Sequence, residues 1–378
     1  MISQFEAQFG RKPEVFIAPG RINLIGEHTD YNQGFVMPSA IDKHFVFAVA
    51  PNGTDVFNII ASDLNEKFVF SIRGLNPGSS WQNYLMGVVD GLVRRNKIVH
   101  GVDCIFSSNI PAGAGLSSSA ALCSGFGFAL NELFKLGLDC LELAKIAQEA
   151  EHLFAGAKVG IMDMYASLFS KEGTVILLDC RNCAHEYLIL NLGDHEILLI
   201  DTKVKHTLAS SGYNNRRAAC EAGVKELQKH FSHVHSLRDV DLSMLALLKP
   251  VMDETVFKRC SYIVEEIERT QQAAGFLKGN DLKNFGRLMF ETHWGLSHDY
   301  EVSCAESDWL VTLAKENKVT GARQMGGGFG GCTINLIAKG QRPAFERQVR
   351  EKYFAAFKKE PEFYSVNLAN GVRQVVNG

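Results

Sequence analysis

The sequence predicts an α+β fold in two domains, because strand patterns dominate its first half and helical patterns dominate its second half. The chain has 378 residues, which exceeds the usual size of one domain and favours two domains that share a cleft. Hydrophobic residues make up 46% of it and charged residues 21%, so a large core can form and disorder is excluded as the dominant state. We expect the domains to cover residues 1–200 and 201–378.

Short runs of β-branched and aromatic residues predict the strands of the first domain, and Gly, Pro and Asn turns separate them. Apolar residues at helical spacing predict the helices between these strands, and Asp139 is a suitable N-cap for one of them. In chain order we expect strands at 46–50, 57–61 and 68–72, a helix at 81–94, a strand at 102–107, helices at 118–134 and 141–154, and strands at 174–178 and 196–201.

Long helical patterns dominate the second domain, and strands are predicted only near its end. No internal repeat or low-complexity tract interrupts this order. We expect helices at 212–230, 254–274, 281–296 and 305–316, then a strand at 332–338, a helix at 343–358 and a strand at 363–368.

Charge and hydropathy exclude several classes of partner. The 39 basic and 42 acidic residues give a net charge of −3, which is no footprint for nucleic acid or for an anionic membrane. No run of about 18 apolar residues is present to span a bilayer, and the first residues lack the basic and apolar regions of a secretory signal. Nine scattered cysteines fit a reducing compartment. We therefore predict a cytoplasmic protein with no nucleic-acid partner and no membrane partner.

Cys180 and Cys183 are the one close pair of cysteines in the sequence. A zinc site needs about four ligands, and no second cysteine pair or nearby pair of histidines completes one. A thioredoxin-like motif opens a helix after a strand, whereas this pair lies between two apolar stretches. The pattern therefore predicts a turn that carries two thiols.

Residues 111–121, Pro-Ala-Gly-Ala-Gly-Leu-Ser-Ser-Ser-Ala-Ala, join an apolar strand to an apolar helix. Gly113 and Gly115 let the backbone approach a ligand closely, and three serines fall in the first helical turn. Unpaired N–H groups and the positive end of the helix dipole make such a turn an anion site, which suits a phosphate chain. It is not a Walker A loop, because no Lys-Ser or Lys-Thr follows the glycines. The alternative is that these small residues only pack the helix tightly on the sheet.

The glycine cluster at residues 326–331, Gly-Gly-Gly-Phe-Gly-Gly, formally contains the dinucleotide fingerprint GxGxxG. That fingerprint requires a strand, a turn and a helix, but these glycines lead into an alternating pattern that predicts a strand. We therefore reject a Rossmann site. Five glycines within six residues still indicate a backbone that lies close to something, such as the second wall of a phosphate or catalytic pocket.

Three further stretches carry candidate polar groups. Residues 18–32 combine Arg, Glu, His and Asp among turn residues, so they either bind a hydroxyl-rich ligand or form a solvated loop with local ion pairs. Glu149 and Glu151 flank the apolar face of a helix on opposite sides, so periodicity does not choose between them as a Mg²⁺ ligand or a solvated helix end. Asp163 follows a glycine turn in an apolar stretch and is either a base or an N-cap or turn residue.

Residues 20–31, Gly-Arg-Ile-Asn-Leu-Ile-Gly-Glu-His-Thr-Asp-Tyr, look like the galactokinase signature. The serine-rich loop looks like the phosphate-binding motif of the GHMP small-molecule kinases, and the glycine cluster looks like their third motif. Order and spacing agree over nearly the whole chain, including Trp81, the Gly-Ile-Met-Asp run at 160–163 and the Asp-Cys-Arg run at 179–181. The chain therefore resembles the galactokinase branch of the GHMP kinases.

This resemblance implies an N-terminal domain like domain 2 of ribosomal protein S5 and a C-terminal, ferredoxin-like GHMP kinase domain, with the active site in the cleft between them. It implies transfer of the γ-phosphoryl group of ATP to the anomeric hydroxyl of galactose, which is the entry step of galactose catabolism. ATP would be the co-substrate and Mg²⁺ the cofactor. The expected partners are thus the sugar and ATP, and we expect a monomer.

The resemblance also implies roles for single residues. Asp163 would be the base or would orient the sugar hydroxyl, and Arg21 would stabilise the developing charge. Ser119 and Glu151 would hold Mg²⁺, since the spacing to Asp163 selects Glu151 over Glu149. The implied sugar-binding residues are Glu27, His28, Thr29, Asp30, Gly160, Asp163 and Tyr213, and the implied nucleotide-binding residues are Gly113, Ala114, Gly115, Leu116, Ser117, Ser118 and Ser119.

Three positions depart from the family pattern. Met164 stands where Gln is usual, Gly212 replaces a common Glu, and Met325 replaces a usual Thr. Loss of hydrogen-bonding groups beside the pocket would relax the choice of sugar or slow the chemistry. Two alternatives follow, a kinase for a related sugar such as N-acetylgalactosamine and a non-catalytic sensor of galactose and ATP. Such a sensor has a shortened serine-alanine loop, whereas the run at 117–121 is full length.

Overall fold

Helices and three β-sheets build the computed structural model, which describes residues 1–78, 80–204 and 211–375. The helices are α1 (Ile2–Phe9), α2 (Gln82–Arg94), α3 (Ser118–Phe134), α4 (Cys140–Phe154), α5 (Met162–Phe169), α6 (Ser211–Gln228), α7 (Leu242–Leu248), α8 (Glu254–Lys278), α9 (Leu282–His298), α10 (Ala305–Glu316) and α11 (Arg342–Phe357). The strands are β1 (Glu14–Asn23), β2 (Phe35–Val36), β3 (Pro38–Pro51), β4 (Val56–Ala61), β5 (Glu66–Ser71), β6 (Val102–Ser108), β7 (Thr174–Asp179), β8 (Ala184–Ile189), β9 (His195–Asp201), β10 (Gly321–Gln324), β11 (Cys332–Ala338), β12 (Glu362–Ser365) and β13 (Arg373–Val375).

A six-stranded sheet in the order β13-β1-β3-β6-β4-β5 supports the first half of the chain. Its strand pairs are antiparallel except for β4 and β6, which are parallel. Helix α3 packs on β1 and β3, and α2 and α4 pack beside α3. Gly125 allows this close approach, because a Cβ atom there would come within 2.5 Å of Phe47 and Ala18. The N-terminus of α3 therefore lies beside β1.

A four-stranded antiparallel sheet in the order β10-β11-β9-β12 supports the second half. Phe345 and Tyr353 of α11 are buried in the core between this sheet, α10 and α11. Helices α7 and α8 contribute Leu245 and Ile263 to a separate apolar cluster. A small sheet, β2-β7-β8, completes the described part of the chain. The two large sheets and their helices give a mixed α+β architecture.

The predicted α+β class is confirmed, and most predicted helices and strands overlap an observed element within a few residues. The division at residue 200 stays a prediction, and the sheets cross it twice. Strand β9 ends at Asp201 and pairs with β11 of the second sheet. Strand β13 returns to the first sheet, where Val375 pairs with Val15 of β1.

Sequence patterns do not predict α1, β1, β2, α5, β8, α7, β10 or β13, and they predict only the end of β3. The most consequential omission is β1, because residues 18–23 belong to it rather than to a polar loop. The register of β1 against β3 shifts between Pro19 and Arg21, where Gly20 alone faces residues 41–43 of β3, so the extra residues belong to β3. Pro19 and Gly20 therefore interrupt the strand pattern at this irregularity. It lies beside the serine-rich loop, because the backbone N–H of Arg21 donates to the carbonyl of Leu116 at 3.1 Å.

The turn predicted at Cys180 and Cys183 is confirmed, and both cysteines are free thiols. Within the three described ranges, no group of three or more His, Cys, Asp and Glu side chains is arranged to hold a metal ion. None of the helices in these ranges is long and apolar enough to cross a membrane.

Candidate active site

A cavity of about 430 Å³ lies between the serine-rich loop, the signature segment and the glycine cluster. Most residues that the sequence singled out meet in its wall. The wall is formed by Arg21, Glu27, His28, Asp30, Phe45, Trp81, Tyr84, Pro111, Gly113, Gly115, Leu116, Ser117, Ser118, Ser119, Leu122, Val159, Gly160, Met162, Asp163, Tyr213, Gly326 and Gly327.

The serine-rich loop reaches α3 through a backbone that favours glycine. Gly113 and Gly115 have φ angles of 73° and 76°, and Ser117, which precedes α3, is also left-handed at 57°. A left-handed serine is strained, and such strain is common at functional sites. In the first turn, Ser118 and Ser119 line the cavity. The first N–H groups of α3 therefore belong to the wall of the cavity, as an anion site requires.

Gly326 and Gly327 of the glycine cluster line the cavity, and the cluster leads into strand β11 rather than into a helix, as the sequence predicts. The backbone N–H of Cys332 donates to the carbonyl of Ala114 at 3.1 Å. A Cβ atom at Gly326 would lie 3.3 Å from the carbonyl oxygen of Gly115, and one at Gly331 would lie 3.2 Å from that of Ala114. The cluster is thus rich in glycine because it packs against the backbone of the serine-rich loop.

Arg21 and Asp163 form a bidentate ion pair at the centre of the site. The Nε and Nη2 atoms of Arg21 donate to the Oδ1 and Oδ2 atoms of Asp163 at 2.7 and 3.0 Å. Arg21 also donates from Nη1 to the carbonyl of Gly115 at 2.7 Å, and the hydroxyl of Ser117 donates to Asp163. Burial lowers the pKa of Arg21, but the charges of Asp163 and Glu27 outweigh this and raise it overall. The positive charge of Arg21 therefore joins the serine-rich loop to the Asp163 carboxylate.

Asp30 provides a second carboxyl group beside this pair, and it lies directly against the backbone of Gly160. A Cβ atom at position 160 would overlap the carboxyl group of Asp30, so only glycine fits there. Burial, reinforced by the negative charge of Asp163, raises the pKa of Asp30 to about 7. The Asp30 carboxyl group is therefore only partly ionised near neutral pH in the ligand-free site.

Glu27 lies in the wall of the cavity but is held from the second half of the chain. Its Oε1 atom accepts from the Nη2 of Arg323 at 3.0 Å and from the backbone N–H of Gly326 at 2.9 Å. The rings of His28 and Tyr213 are packed beside it, 5.3 Å apart between their centroids. Residues from both halves of the chain thus complete this end of the cavity.

Three of the implied site residues lie outside the cavity wall. Thr29 is fully buried, and its hydroxyl contacts the backbone carbonyls of Gly26 and Phe35 at 3.0 and 2.6 Å. Ala114 is also fully buried, with its carbonyl bonded to Cys332. Glu151 lies behind Ser119 and is buried as well. The structure therefore brings the other implied residues together but gives these three indirect contact with the cavity.

Glu149 and Glu151, which periodicity does not distinguish, have different environments. The side chain of Glu149 is 33% exposed and pairs with Arg95, whereas Glu151 is 1% exposed. Burial raises the pKa of Glu151 to about 8, against a hydrogen bond from Ser119 that lowers it. None of the described residues donates a hydrogen bond to its Oε2 atom. A buried carboxylate oxygen without a donor, next to a hydroxyl at a phosphate site, suits a hard cation such as Mg²⁺.

The other end of the cavity is apolar and aromatic, and sequence reasoning does not predict this. Phe45, Trp81, Tyr84 and Leu122 line it. The Trp81 ring stands edge-on to Phe106 at 5.3 Å, and its Nε1 donates to Glu66 at 2.6 Å. These residues come from β3, the start of α2 and α3, so no local motif unites them; only the resemblance singled out Trp81.

The three departures from the family pattern do not line the cavity. Met164 and Met325 are buried in the core. At Gly212, a Cβ atom would come within 2.8 Å of the Phe329 ring, so a larger residue requires this ring to move. The cavity wall keeps its polar side chains despite these substitutions.

Comparison with known proteins identifies the family to which the chain is similar. Residues 3–51 match the galactokinase galactose-binding signature, 83–171 the GHMP kinases N terminal domain and 265–355 the GHMP kinases C terminal family. The chain is 40% identical to the galactokinase of Thermosipho africanus, over 95% of this chain and 99% of that protein. It is also 40% identical to the galactokinase of Clostridium acetobutylicum, over 98% and 97%.

Solved structures give the same result. The crystal structure of Lactococcus lactis galactokinase complexed with galactose superposes with a TM-score of 0.95, at 32% identity, over 99% of this chain and 98% of that one. The mevalonate kinase of Methanococcus jannaschii shares the fold alone, with a TM-score of 0.65 at 18% identity over 95% and 99% of the chains.

Proposed function

This chain belongs to the galactokinase family of the GHMP kinases, and we propose that it transfers the γ-phosphoryl group of ATP to the anomeric hydroxyl of galactose. The bidentate pair of Arg21 and Asp163 carries the proposal, because Arg21 of the signature segment joins the serine-rich loop at Gly115 to the Asp163 carboxylate at the start of α5. A phosphoryl group and a sugar hydroxyl that meet there are next to both a cation and a proton acceptor. The product of this transfer, galactose 1-phosphate, is the entry point of galactose into catabolism.

We place the phosphates of ATP at the N-terminus of α3, between Gly113 and Ser119. The unpaired N–H groups and the helix dipole stabilise negative charge there. The adenine base then lies toward the aromatic end of the cavity, where Trp81 and Tyr84 offer flat apolar surfaces. Both ends lie on the same cavity, so one nucleotide reaches from the aromatic residues to Arg21.

Ser119 and Glu151 would hold Mg²⁺ beside the phosphates. The free Oε2 atom of Glu151 supports this, since Mg²⁺ is usually bound by one or two carboxylates plus substrate phosphates. When bound, the cation neutralises charge on the phosphate oxygens. Binding of Mg²⁺ also keeps the Glu151 carboxyl group ionised, although burial alone raises its pKa.

Galactose would occupy the end of the cavity formed by Glu27, His28, Asp30, Gly160 and Tyr213. Carboxylates accept hydrogen bonds from sugar hydroxyls, and a histidine or tyrosine can donate or accept. Several fixed partners hold the sugar in one orientation, which aligns its anomeric hydroxyl with the γ-phosphorus. Thr29 contributes indirectly, since it holds the backbone of the signature segment.

Asp163 would receive or orient the proton of the anomeric hydroxyl. Its Oδ2 atom already accepts from Arg21 and Ser117. Among the described residues Oδ1 accepts one bond, from Arg21, and it retains a lone pair for the sugar. As the phosphoryl group transfers, charge gathers on its oxygens, and the Arg21 guanidinium is placed to stabilise it. The proton is transferred late to Asp163, so the base need not be strong.

We also propose that the protein is a cytoplasmic monomer. The free cysteines support a reducing compartment such as the cytoplasm. The composition favours neither nucleic acid nor an anionic surface as a partner. Sedimentation of the purified protein tests the monomer, with a single species near 42 kDa expected from a chain mass of 41.8 kDa.

The decisive experiment measures conversion of ATP to ADP in the presence of Mg²⁺ with galactose, N-acetylgalactosamine, glucose, 2-deoxygalactose or no sugar. We expect the fastest turnover with galactose. Faster turnover with another sugar would keep the mechanism and replace the substrate. Binding of galactose and ATP without turnover would instead identify a sensor and overturn the proposal.

A further inference from the structure

A chain of hydrogen bonds leads from His28 away from the cavity and into the helices of the second half. The Nδ1 atom of His28 lies 2.8 Å from the hydroxyl of Tyr31, which lies 2.7 Å from the hydroxyl of Tyr300. The Tyr300 hydroxyl lies 3.3 Å from the Sγ atom of Cys220 on α6. We call these four residues, His28, Tyr31, Tyr300 and Cys220, the tyrosine relay.

The relay is largely buried, and Tyr31 is its one partly exposed member. Tyr300 and Cys220 are 0% and 1% exposed. Burial raises the pKa values of Tyr31 and Tyr300 well above their usual range and that of Cys220 to about 11. Each of the three groups therefore carries one proton at neutral pH, and each can donate only one hydrogen bond.

One direction of donation satisfies every member of the relay. Asn32 donates from Nδ2 to the backbone carbonyl of His28 at 2.9 Å, and its side chain also hydrogen-bonds to Cys220. The sulfur already accepts from Asn32, and we therefore assign the thiol as the donor to the oxygen of Tyr300. Tyr300 then donates to Tyr31, and Tyr31 donates to Nδ1 of His28. A neutral His28 whose Nδ1 accepts a hydrogen bond carries its proton on Nε2.

The residues around the relay also hold His28 in an unusual backbone conformation. His28 has a φ angle of +66°, which is uncommon for a residue other than glycine. The bond from Asn32 fixes its carbonyl, and the rings of Tyr300 and Tyr213 pack beside its imidazole at 4.8 and 5.3 Å. Such strain persists where the surroundings determine the conformation, and it is frequent in ligand sites.

We propose that Tyr31 and Tyr300 are positioning residues that hold His28 as its Nε2-protonated tautomer, so that it donates to one hydroxyl oxygen of the sugar. This inference rests on the proposed role of His28 in sugar binding. The relay sets orientation and tautomer in advance, so neither must be selected when the sugar binds. Neither tyrosine contacts the nucleotide end of the cavity, so ATP binding is unaffected.

The first test replaces Tyr300 by Phe, which removes one oxygen atom and keeps the ring. We expect the KM for galactose to rise about 3- to 10-fold, as for loss of one hydrogen bond, while the KM for ATP stays the same. Tyr353→Phe is the matched control, because Tyr353 is equally buried and its hydroxyl donates to the backbone carbonyl of Thr202 at 2.7 Å. A similar rise of both KM values in Tyr300→Phe, or the same rise in Tyr353→Phe, would overturn the proposal.

Deoxy sugars separate positioning of His28 from general loosening of the fold. With 2-, 3-, 4- and 6-deoxygalactose, the effect of Tyr300→Phe should vanish for one sugar, the one that lacks the hydroxyl bound by His28. His28→Ala should lose its effect with the same sugar. An equal effect of Tyr300→Phe on galactose and on all four analogues would show that the hydroxyl has only a structural role.

The tautomer can be read without any turnover. Nitrogen NMR of protein labelled with ¹⁵N-histidine, with the His28 signals assigned by their absence in His28→Gln, should show a protonated Nε2 and an unprotonated Nδ1. Tyr31→Phe should shift both signals. Protonated Nδ1 in the unsubstituted protein would overturn the relay. Absence of kinase activity in that same protein would overturn the proposed function instead, so the two failures are distinct.

Discussion

Two arginine–carboxylate pairs, Arg21–Asp163 and Arg323–Glu27, lie in this site. They differ in their exposure to the cavity and in the other groups that the arginine holds. In the first pair, the Asp163 side chain is 19% exposed and faces the cavity. In the second, Arg323 is fully buried and also donates to the carbonyls of Leu24, Asn23 and Gln324. Both carboxylates keep a lone pair for a ligand, but the second pair also joins the signature segment to the glycine cluster.

Burial alone therefore does not assign a role to a charged residue in this protein. What separates the two pairs is the number of backbone carbonyls that the arginine also holds, one for Arg21 and three for Arg323. This contrast predicts that substitutions in the first pair change the rate and that substitutions in the second change the stability.

The largest expected effect is on the rate in Asp163→Asn. We expect kcat to fall by about 10²- to 10⁴-fold, because the proton acceptor is removed. The free energy of unfolding should fall less than in the second pair, because the new amide oxygen still accepts from Arg21 and loss of the negative charge relieves the repulsion that helps raise the pKa of Asp30. Calorimetry should find nucleotide binding nearly intact, and normal turnover would exclude Asp163 from the reaction.

The second pair should show the opposite pattern in Arg323→Met. Glu27 would be left buried without its cation, which costs about 3–5 kcal/mol of unfolding free energy. Urea unfolding of the variant measures this loss. The double variant Arg323→Met/Glu27→Met provides the control, because removal of both charges should recover much of the stability although sugar binding is lost. A double variant that is less stable than the single one would contradict this account.

Glu151 extends the contrast, because it is as buried as Glu27 but has no ion pair among the described residues, and its Oε2 atom has no donor there. We expect Glu151→Gln to raise the Mg²⁺ concentration needed for half-maximal rate by about 10- to 100-fold. Glu149→Gln is the matched control on the same helix, where a partly exposed pair with Arg95 is worth little. Equal Mg²⁺ dependence of the two variants would remove Glu151 from the metal site.

The distance along the chain between contacting residues decides how far the sequence predicts the site. Groups that lie close together in sequence, such as the glycines and serines at 113–119, are recognisable because one turn of chain creates their chemistry. The contacts of Arg323 with Glu27 and of Tyr300 with Tyr31 join residues more than 250 positions apart. No local periodicity records such pairs, and Pro19 and Gly20 obscure the strand pattern of β1, which carries Arg21.

Asp30 represents a third situation, a carboxylate with no cation bonded to it among the described contacts. Its pKa of about 7 in the folded protein lies above the usual value of 3.8. Between these two pH values the folded state binds more protons than the unfolded state, so Asp30 makes stability fall as the pH rises from about 4 to 7. The penalty is then fully present above pH 7.

The variant Asp30→Asn should remove this penalty and increase the unfolding free energy at pH 8 by about 1–3 kcal/mol, while sugar binding weakens. Urea unfolding at pH 5 and pH 8, without nucleotide or Mg²⁺, compares the two proteins. The gain should be much smaller at pH 5, where Asp30 is mostly protonated. An equal gain at both pH values would mean that ionisation of Asp30 is not its source.

The smallest effect is expected at Thr29, which the resemblance assigns to the sugar but which the structure places outside the cavity wall. Its hydroxyl contacts two backbone carbonyls, so Thr29→Ser keeps the polar contact and removes only a buried methyl group. We expect a stability loss of about 0.5–1.5 kcal/mol and KM and kcat values for galactose within about twofold of the unsubstituted protein. A large rise in the KM for galactose would return Thr29 to the sugar site. It would also show that the signature segment changes conformation when the sugar binds, because the hydroxyl would have to leave both carbonyls.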